Sequence, residues 1–176
     1  VTREAVRHDD FPALDWVLYF ENTGSADTPI IESIQALNVT LRSPMGAAPY
    51  VLHRTNGAPS NPTDFEVSAV TVDEKQAWSM SGGGGRSSNK DLPFFKVETA
   101  EGSIIVAVGW SGQWAAHLEC PDNRHLHMTA GQELTHFRLH PGERVRTPRM
   151  LVMHWDGDTL EANAQFRQLI YKHYCA

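Results

Sequence analysis

Leu14-Asp15-Trp16-Val17-Leu18-Tyr19-Phe20-Glu21 sets Leu14, Trp16, Leu18 and Phe20 against Asp15, Val17, Tyr19 and Glu21. A period of two is the pattern of a strand with one buried face. Asn22-Thr23-Gly24-Ser25 then supplies a cluster of turn formers. The same reading extends along the chain. Leu37, Val39 and Leu41 alternate with Asn38 and Thr40 until Ser43-Pro44, and Tyr50 to Arg54 is a further short strand. Phe65 to Val72 reads as a strand whose apolar side switches midway, which a β-bulge would produce. Ile104-Ile105-Val106-Ala107-Val108 is continuously apolar and suits a central strand covered on both faces. Thr135, Phe137 and Leu139 alternate with His136, Arg138 and His140 before the turn at Pro141-Gly142-Glu143, and Met150 to Trp155 forms the last strand.

One helix pattern stands at the C-terminus. Asp158 is placed to cap it and Glu161, three residues on, occupies the reciprocal position. Phe166, Leu169, Ile170, His173 and Tyr174 recur at helical spacing. Many short strands separated by turn signals, with no alternating helices, predict an all-β fold. The expected form is an antiparallel β-sandwich over 1–157, closed by one α-helix over 158–176. Two stretches read as long loops: Asn56 to Asp64, and Ser79 to Asp91 with its run Gly82-Gly83-Gly84-Gly85-Arg86-Ser87-Ser88.

Composition limits the function classes. The 176 residues suit one domain; 41% are hydrophobic, 20% charged, and the net charge is −6. An acidic chain without clustered Lys and Arg is a poor partner for nucleic acid. No apolar run reaches the roughly 18 residues that a membrane-spanning helix needs. The opening VTREAVRHDD has no signal-peptide core, which leaves cytoplasmic and exported placements both open. Cys120 and Cys175 read as plain thiols, since two cysteines without a C-x-x-C make no disulfide framework.

Four features bear on chemistry. The glycine run lacks the G-x-x-x-x-G-K-[ST] pattern of a phosphate loop and precedes no helix. It reads either as a plain surface loop or as a loop reaching toward a sugar, with Trp78 and Arg86 near its ends. Trp stacks on the apolar face of a pyranose and Arg donates to its hydroxyls. Gly109-Trp110-Ser111-Gly112-Gln113-Trp114 sets two indoles and an amide in a glycine-punctuated turn. This composition serves a sugar site or a core. Trp78, Arg86, Trp110, Gln113 and Trp114 are thus the candidate substrate-binding residues. His125-Leu126-His127 puts two imidazoles on one strand face, faintly like a cupin metal site, but Glu133 follows too far away and a third histidine is missing from the pattern. No metal site or cofactor is expected. No G-x-S-x-G elbow exists, and no two carboxylates stand in a setting that nominates them, so no catalytic residue is assigned.

Taken in order, Asp15-Trp16-Val17-Leu18-Tyr19-Phe20-Glu21-Asn22-Thr23-Gly24, Asp27-Thr28-Pro29-Ile30-Ile31, Gly82 to Ser88 with Leu92-Pro93-Phe94-Phe95, Val108 to Trp114, and Pro141 to Pro148 resemble the region before the barrel in bacterial α-galactosidases of glycoside hydrolase family 36 and its clan. Asn163, Phe166-Arg167 and His173 continue the resemblance, which covers nearly the whole chain. It implies a large non-catalytic N-terminal β-sandwich, followed in such enzymes by a (β/α)₈ barrel whose two aspartates perform a retaining double displacement. The family has further strands before a segment like Asp9-Asp10-Phe11-Pro12. The implied partner is the catalytic barrel of the same parent chain, with an α-galactoside sugar and self-association as further partners. The glycine loop would be the part lent to the rim of the sugar site. A free-standing carbohydrate-binding module and a small cupin-like metal-dependent enzyme are the alternatives. The first reading predicts an apolar surface patch where a barrel would sit; the second predicts exposed tryptophans at Trp78, Trp110 or Trp114.

Overall fold

The protein was analysed as a computed structural model, which describes residues 1–45, 49–122 and 124–175. Ala176, at the end of the expected helical segment, lies outside them. The strands in chain order are β1 (Thr2–His8), β2 (Ala13–Glu21), β3 (Ile31–Glu32), β4 (Leu37–Arg42), β5 (Tyr50–Thr55), β6 (Val67–Val72) and β7 (Ala77–Ser81). They continue as β8 (Phe94–Thr99), β9 (Gly102–Gly109), β10 (Trp114–Asp122), β11 (His125–Gln132), β12 (His136–Phe137), β13 (Arg144–Arg146) and β14 (Arg149–Trp155), before helix α1 (Thr159–His173).

The larger sheet has the order β1-β2-β14-β9-β8-β5-β6, with β13 also pairing on β2. A second sheet, β4-β11-β10-β7, stacks on one of its faces, and β12 pairs with β3 in a short ribbon. Every pairing is antiparallel. The chain is therefore an all-β sandwich with a single C-terminal helix.

β9 explains the architecture. Ile104, Val106 and Val108 point into the core between the sheets, while Ile105 and Ala107 point to the opposite face, which α1 covers. A strand apolar on both sides is what two covers require. β14 divides in the same way: Met150 and Val152 go to the inter-sheet core, Leu151 and Met153 to the helix side. β10 and β11 alternate cleanly, with Trp114, Ala116, Leu118 and Cys120 beside Leu126, Met128 and Ala130 on the core face of the second sheet.

α1 starts where the capping pattern puts it. Asp158 Oδ1 accepts from the Leu160 N–H at 2.7 Å and the Glu161 N–H at 3.3 Å, satisfying two free donors of the first turn. Its Ala162 and Leu169 are fully buried, Phe166 and Ile170 pack beside them, and Phe166 meets Phe94 with ring centroids 5.7 Å apart.

Three strand expectations need correction. In β2 the buried positions are Ala13, Asp15 and Val17, whereas Leu14 is 41% exposed. Trp16 alone of the expected inward set packs on the inter-sheet core, with its indole N–H donating to Ala36 O at 2.9 Å. The helix side needs a buried partner for the end of α1, and Asp15 supplies it. The switch in Phe65 to Val72 is no bulge: Phe65 has φ +60° and 60% exposure, so it sits in the turn, and the strand begins at Val67. Around Thr135 to Leu139 only two residues pair, although Thr135 and Leu139 are buried as the alternation requires.

Candidate functional site

The glycine run forms a tightly tethered loop between β7 and β8. Gly82 N–H donates to Trp114 O at 3.1 Å and Lys90 N–H to Gly82 O at 2.6 Å, which closes the loop neck. Gly85 N–H donates to Gln113 Oε1 at 2.6 Å, and the Trp114 indole N–H to Ser87 O at 2.6 Å. Gly83, Gly84 and Gly85 all take positive φ, a turn that side-chain-bearing residues resist. A Cβ on Gly82 would stand 2.2 Å from Arg86 O and 3.1 Å from the Trp114 ring, so the loop closes only over glycine.

This neck joins three of the five candidates. Trp114 has no exposed surface; its ring belongs to the core, and its N–H holds the loop. Gln113 is half-buried and braces the tip. Arg86 is exposed at the end of the glycines, with its own N–H bonded to Gly83 O. Trp78 lies in β7, opposite Leu118, half-buried against the inter-sheet core, and its Nε1 has no hydrogen-bond partner among the described residues.

Trp110 belongs to a different place. It is half-buried and lines a cavity of about 360 Å³ with Phe20, Ile34, Gln132, Phe137 and Arg146. The Arg146 guanidinium sits over its ring, 5.4 Å from the centroid. The histidine pair of β11 is split between partners: His125 Nδ1 lies 2.9 Å from Asp122, and His127 Nε2 lies 2.9 Å from Asn38 Oδ1.

Two features could not be located from the sequence, although an apolar surface patch was expected. The first is an apolar cleft of about 690 Å³ between α1 and the larger sheet, walled by Val67, Pro93, Phe94, Phe166, Ile170 and Tyr171. Val67 and Tyr171 are 68% and 78% exposed, and Leu160 on the same helix is 73% exposed. At its floor Lys96 donates to Thr159, and Thr159 Oγ1 donates to Glu98 at 2.5 Å. The periodicity of α1 was visible in sequence; that its outer residues stay uncovered was not.

The second is a polar cluster where α1 ends. Asp15, 2% exposed, accepts from Tyr174 Oη at 2.5 Å and from Arg149 at 2.5 Å, and lies 2.9 Å from His8 Nε2. Burial pushes its carboxyl upward, but the bonds from Tyr174, His8 and Arg149 outweigh that and hold it below the usual range. The Tyr174 hydroxyl is pushed well up, by burial first and then by the carboxylate it serves.

A glycosidase general acid needs a raised carboxyl pKa. Every carboxyl displaced here, Asp10, Asp15, Glu98 and Asp122, is displaced downward. The buried carboxylates among the described residues, Asp15 and Asp91, are each tied to an arginine, Arg149 and Arg54.

The architecture is a helix-backed β-sandwich with a tethered glycine loop and an open apolar cleft. Solved structures place that architecture inside larger enzymes. The galactosidase domain of the α-galactosidase–sucrose kinase AgaSK matches with a TM-score of 0.76 and 15% identity, over 92% of this chain and 22% of that one. A glycoside hydrolase family 36 α-galactosidase, a variant of AgaA from Geobacillus stearothermophilus in complex with stachyose, matches with a TM-score of 0.75 and 15% identity, over 94% and 23%. The α-galactosidase from Lactobacillus brevis matches with a TM-score of 0.73 and 14% identity, over 90% and 21%. The chain thus has the fold of a domain found within α-galactosidase chains and spans about a fifth of their length. No family model matches the sequence, and no curated protein matches it.

Proposed function

We propose that this chain is the non-catalytic N-terminal β-sandwich of an α-galactosidase-type glycoside hydrolase. It packs through the α1 cleft on a following (β/α)₈ barrel and helps shape the entrance to the sugar site. The observation that carries the reading is the near-complete coverage of this chain by matches that take up only about a fifth of each α-galactosidase. The uncovered apolar wall of Val67, Phe94, Phe166 and Tyr171 supports it, because a patch of this kind marks an interaction surface. So does the absence of a raised carboxyl among the displaced ones. In this reading Trp114 and Gln113 set the glycine loop in place, and Arg86, exposed at the end of the glycines, is the polar group the loop would offer. The sugar would be an α-galactoside completed by barrel residues.

The test is direct. The purified chain is titrated calorimetrically with galactose and melibiose and assayed on an aryl α-galactoside. No turnover and no heat up to millimolar sugar are expected. Turnover would overturn the non-catalytic assignment, and saturable binding would make the chain a carbohydrate-binding module in its own right.

A further inference from the structure

His8 closes β1, Asp10 lies in the corner between β1 and β2, and His173 ends α1. The three are scattered in sequence, yet one ligand atom from each lies within 4.8 Å of the others. We propose that they form a binding site for a single divalent transition-metal cation of the zinc class, which clips the last turn of α1 to the β1–β2 corner. The inference stands apart from the reading of the sandwich as an accessory domain.

The donor set comes first. Two imidazoles and one carboxylate are the ligands that zinc and its neighbours favour. His173 Nε2 lies 3.0 and 3.1 Å from the two Asp10 oxygens, close to the separation of adjacent ligands on one ion. With bonds of about 2.0–2.2 Å, neighbouring ligand atoms sit about 3 to 3.5 Å apart. No gap in the cluster exceeds 4.8 Å, so each closes by at most about 1 to 2 Å, which the exposed Asp10 and His173 side chains can supply.

Orientation comes second. The His8 ring is 8% exposed and its Nε2 faces the Asp15 carboxylate at 2.9 Å. Tyr174 Oη lies 3.1 Å from the same nitrogen, and in the tautomer whose Nε2–H donates to Asp15, Nδ1 carries the lone pair. A carboxylate behind a histidine is the arrangement that fixes the tautomer and strengthens the ligand at metal sites. Asp15 is held in turn by Arg149 and Tyr174. The His8 and His173 rings stand edge to face, 4.6 Å between centroids, so both imidazoles are already gathered.

Access comes third. His8 and Asp10 line a solvent-open cleft of about 670 Å³, beside Arg7 and His154. Lys172 Nζ now lies 2.6 Å from Asp10 Oδ2. Its ammonium occupies the carboxylate that a cation would take, and its 61% exposed side chain is free to swing away. Lys172 is therefore a competitor, which gives the site a distinctive signature.

The experiment uses the purified chain stripped with EDTA and titrated with Zn²⁺ by calorimetry, with Co²⁺ absorption and thermal melts in parallel. Expected are one-to-one binding, a raised melting temperature, and affinity at least about tenfold weaker in His173→Ala and in Asp10→Asn. Lys172→Ala should bind more tightly than the wild type. Asp10 is an exposed corner residue, so Asp10→Asn keeps the comparison open if His173→Ala folds poorly. No saturable Zn²⁺ binding up to about 1 mM, far above the affinity of a three-ligand protein site, would overturn the proposal. So would binding that His173→Ala and Asp10→Asn leave unchanged, which would put the ion on other histidines.

Discussion

The two faces of the larger sheet are built from the same strands and have opposite characters. Toward the second sheet, Leu52, Phe95, Val106, Met150, Trp114 and Leu126 close an apolar core. Toward α1, the smaller cluster of Phe11, Ile105, Leu151, Met153 and Leu169 is flanked by His8, Asp15 and Lys96, all below 9% exposure. One face is finished. The other carries charges at both ends of its helix and an open apolar wall between them. Under the proposed function this is the face that meets the barrel, because apolar surface left uncovered there is recovered on docking. Stability should therefore concentrate on the closed face, while the helix face tolerates change.

The sharpest test of that contrast is Trp114→Ala. The ring is fully buried between the sheets, and its removal leaves a large cavity and strands Ser87 O without its donor. A loss of about 3–5 kcal/mol is expected by chemical denaturation, with hydrogen exchange quickening through Gly82 to Lys90. A loss under about 0.5 kcal/mol, the range of ordinary surface changes, would mean that the closed face does not carry the fold.

Asp15→Asn probes the helix face with a smaller effect. The substitution keeps the shape but removes the charge that Arg149 and Tyr174 serve. Arg149 is 44% exposed and can be solvated, so the cost is about 1–3 kcal/mol. The milder Tyr174→Phe should cost less and loosen only the end of α1, visible as faster exchange of its last-turn amides. A cost for Asp15→Asn equal to that of Trp114→Ala would erase the distinction between the faces.

What sequence could reveal follows the same divide. β9, β14 and α1 were legible because period, length and capping agree with their final surroundings. β10 also carries a strict alternation of Trp114, Ala116, Leu118 and Cys120, but the glycines and tryptophans before it drew the reading toward a site. β1 shows no apolar period, since six of its seven residues are exposed at the sheet edge. β2 misled because hydrophobicity alone does not say which face buries a salt-bridged aspartate. Of the candidate site, the contacts of Gly85 with Gln113 and of Ser87 with Trp114 join segments far apart in the chain and have no local signal, and the separation of Trp110 from Trp114 likewise depends on strand register. The His8–Asp10–His173 cluster joins the two ends of the chain and has no local signature.

The smallest expected effect is on pH dependence, and it too should come from the helix face. His53 lies in the cleft beside Glu98 and Lys96, with Nε2 2.9 Å from Glu98 Oε1 but poorly directed for a hydrogen bond. Burial lowers its pKa, the Glu98 carboxylate works against that shift, and the Lys96 ammonium reinforces it. A depressed basic group takes up its proton more readily in the unfolded chain. Stability is then full above the ordinary value of 6.5 and declines as the pH falls from there toward the folded pKa. His140, raised first by its hydrogen bond to Asp27, acts in the opposite sense on the exposed β12–β13 turn and gains as the pH falls. His53→Gln removes the first contribution and leaves the second. Melting temperatures between pH 7.5 and 5.5 should fall less steeply in His53→Gln than in the wild type. Parallel curves would show that the cleft holds His53 no more firmly than solvent does, and that its charges belong to the open surface rather than to the cleft floor.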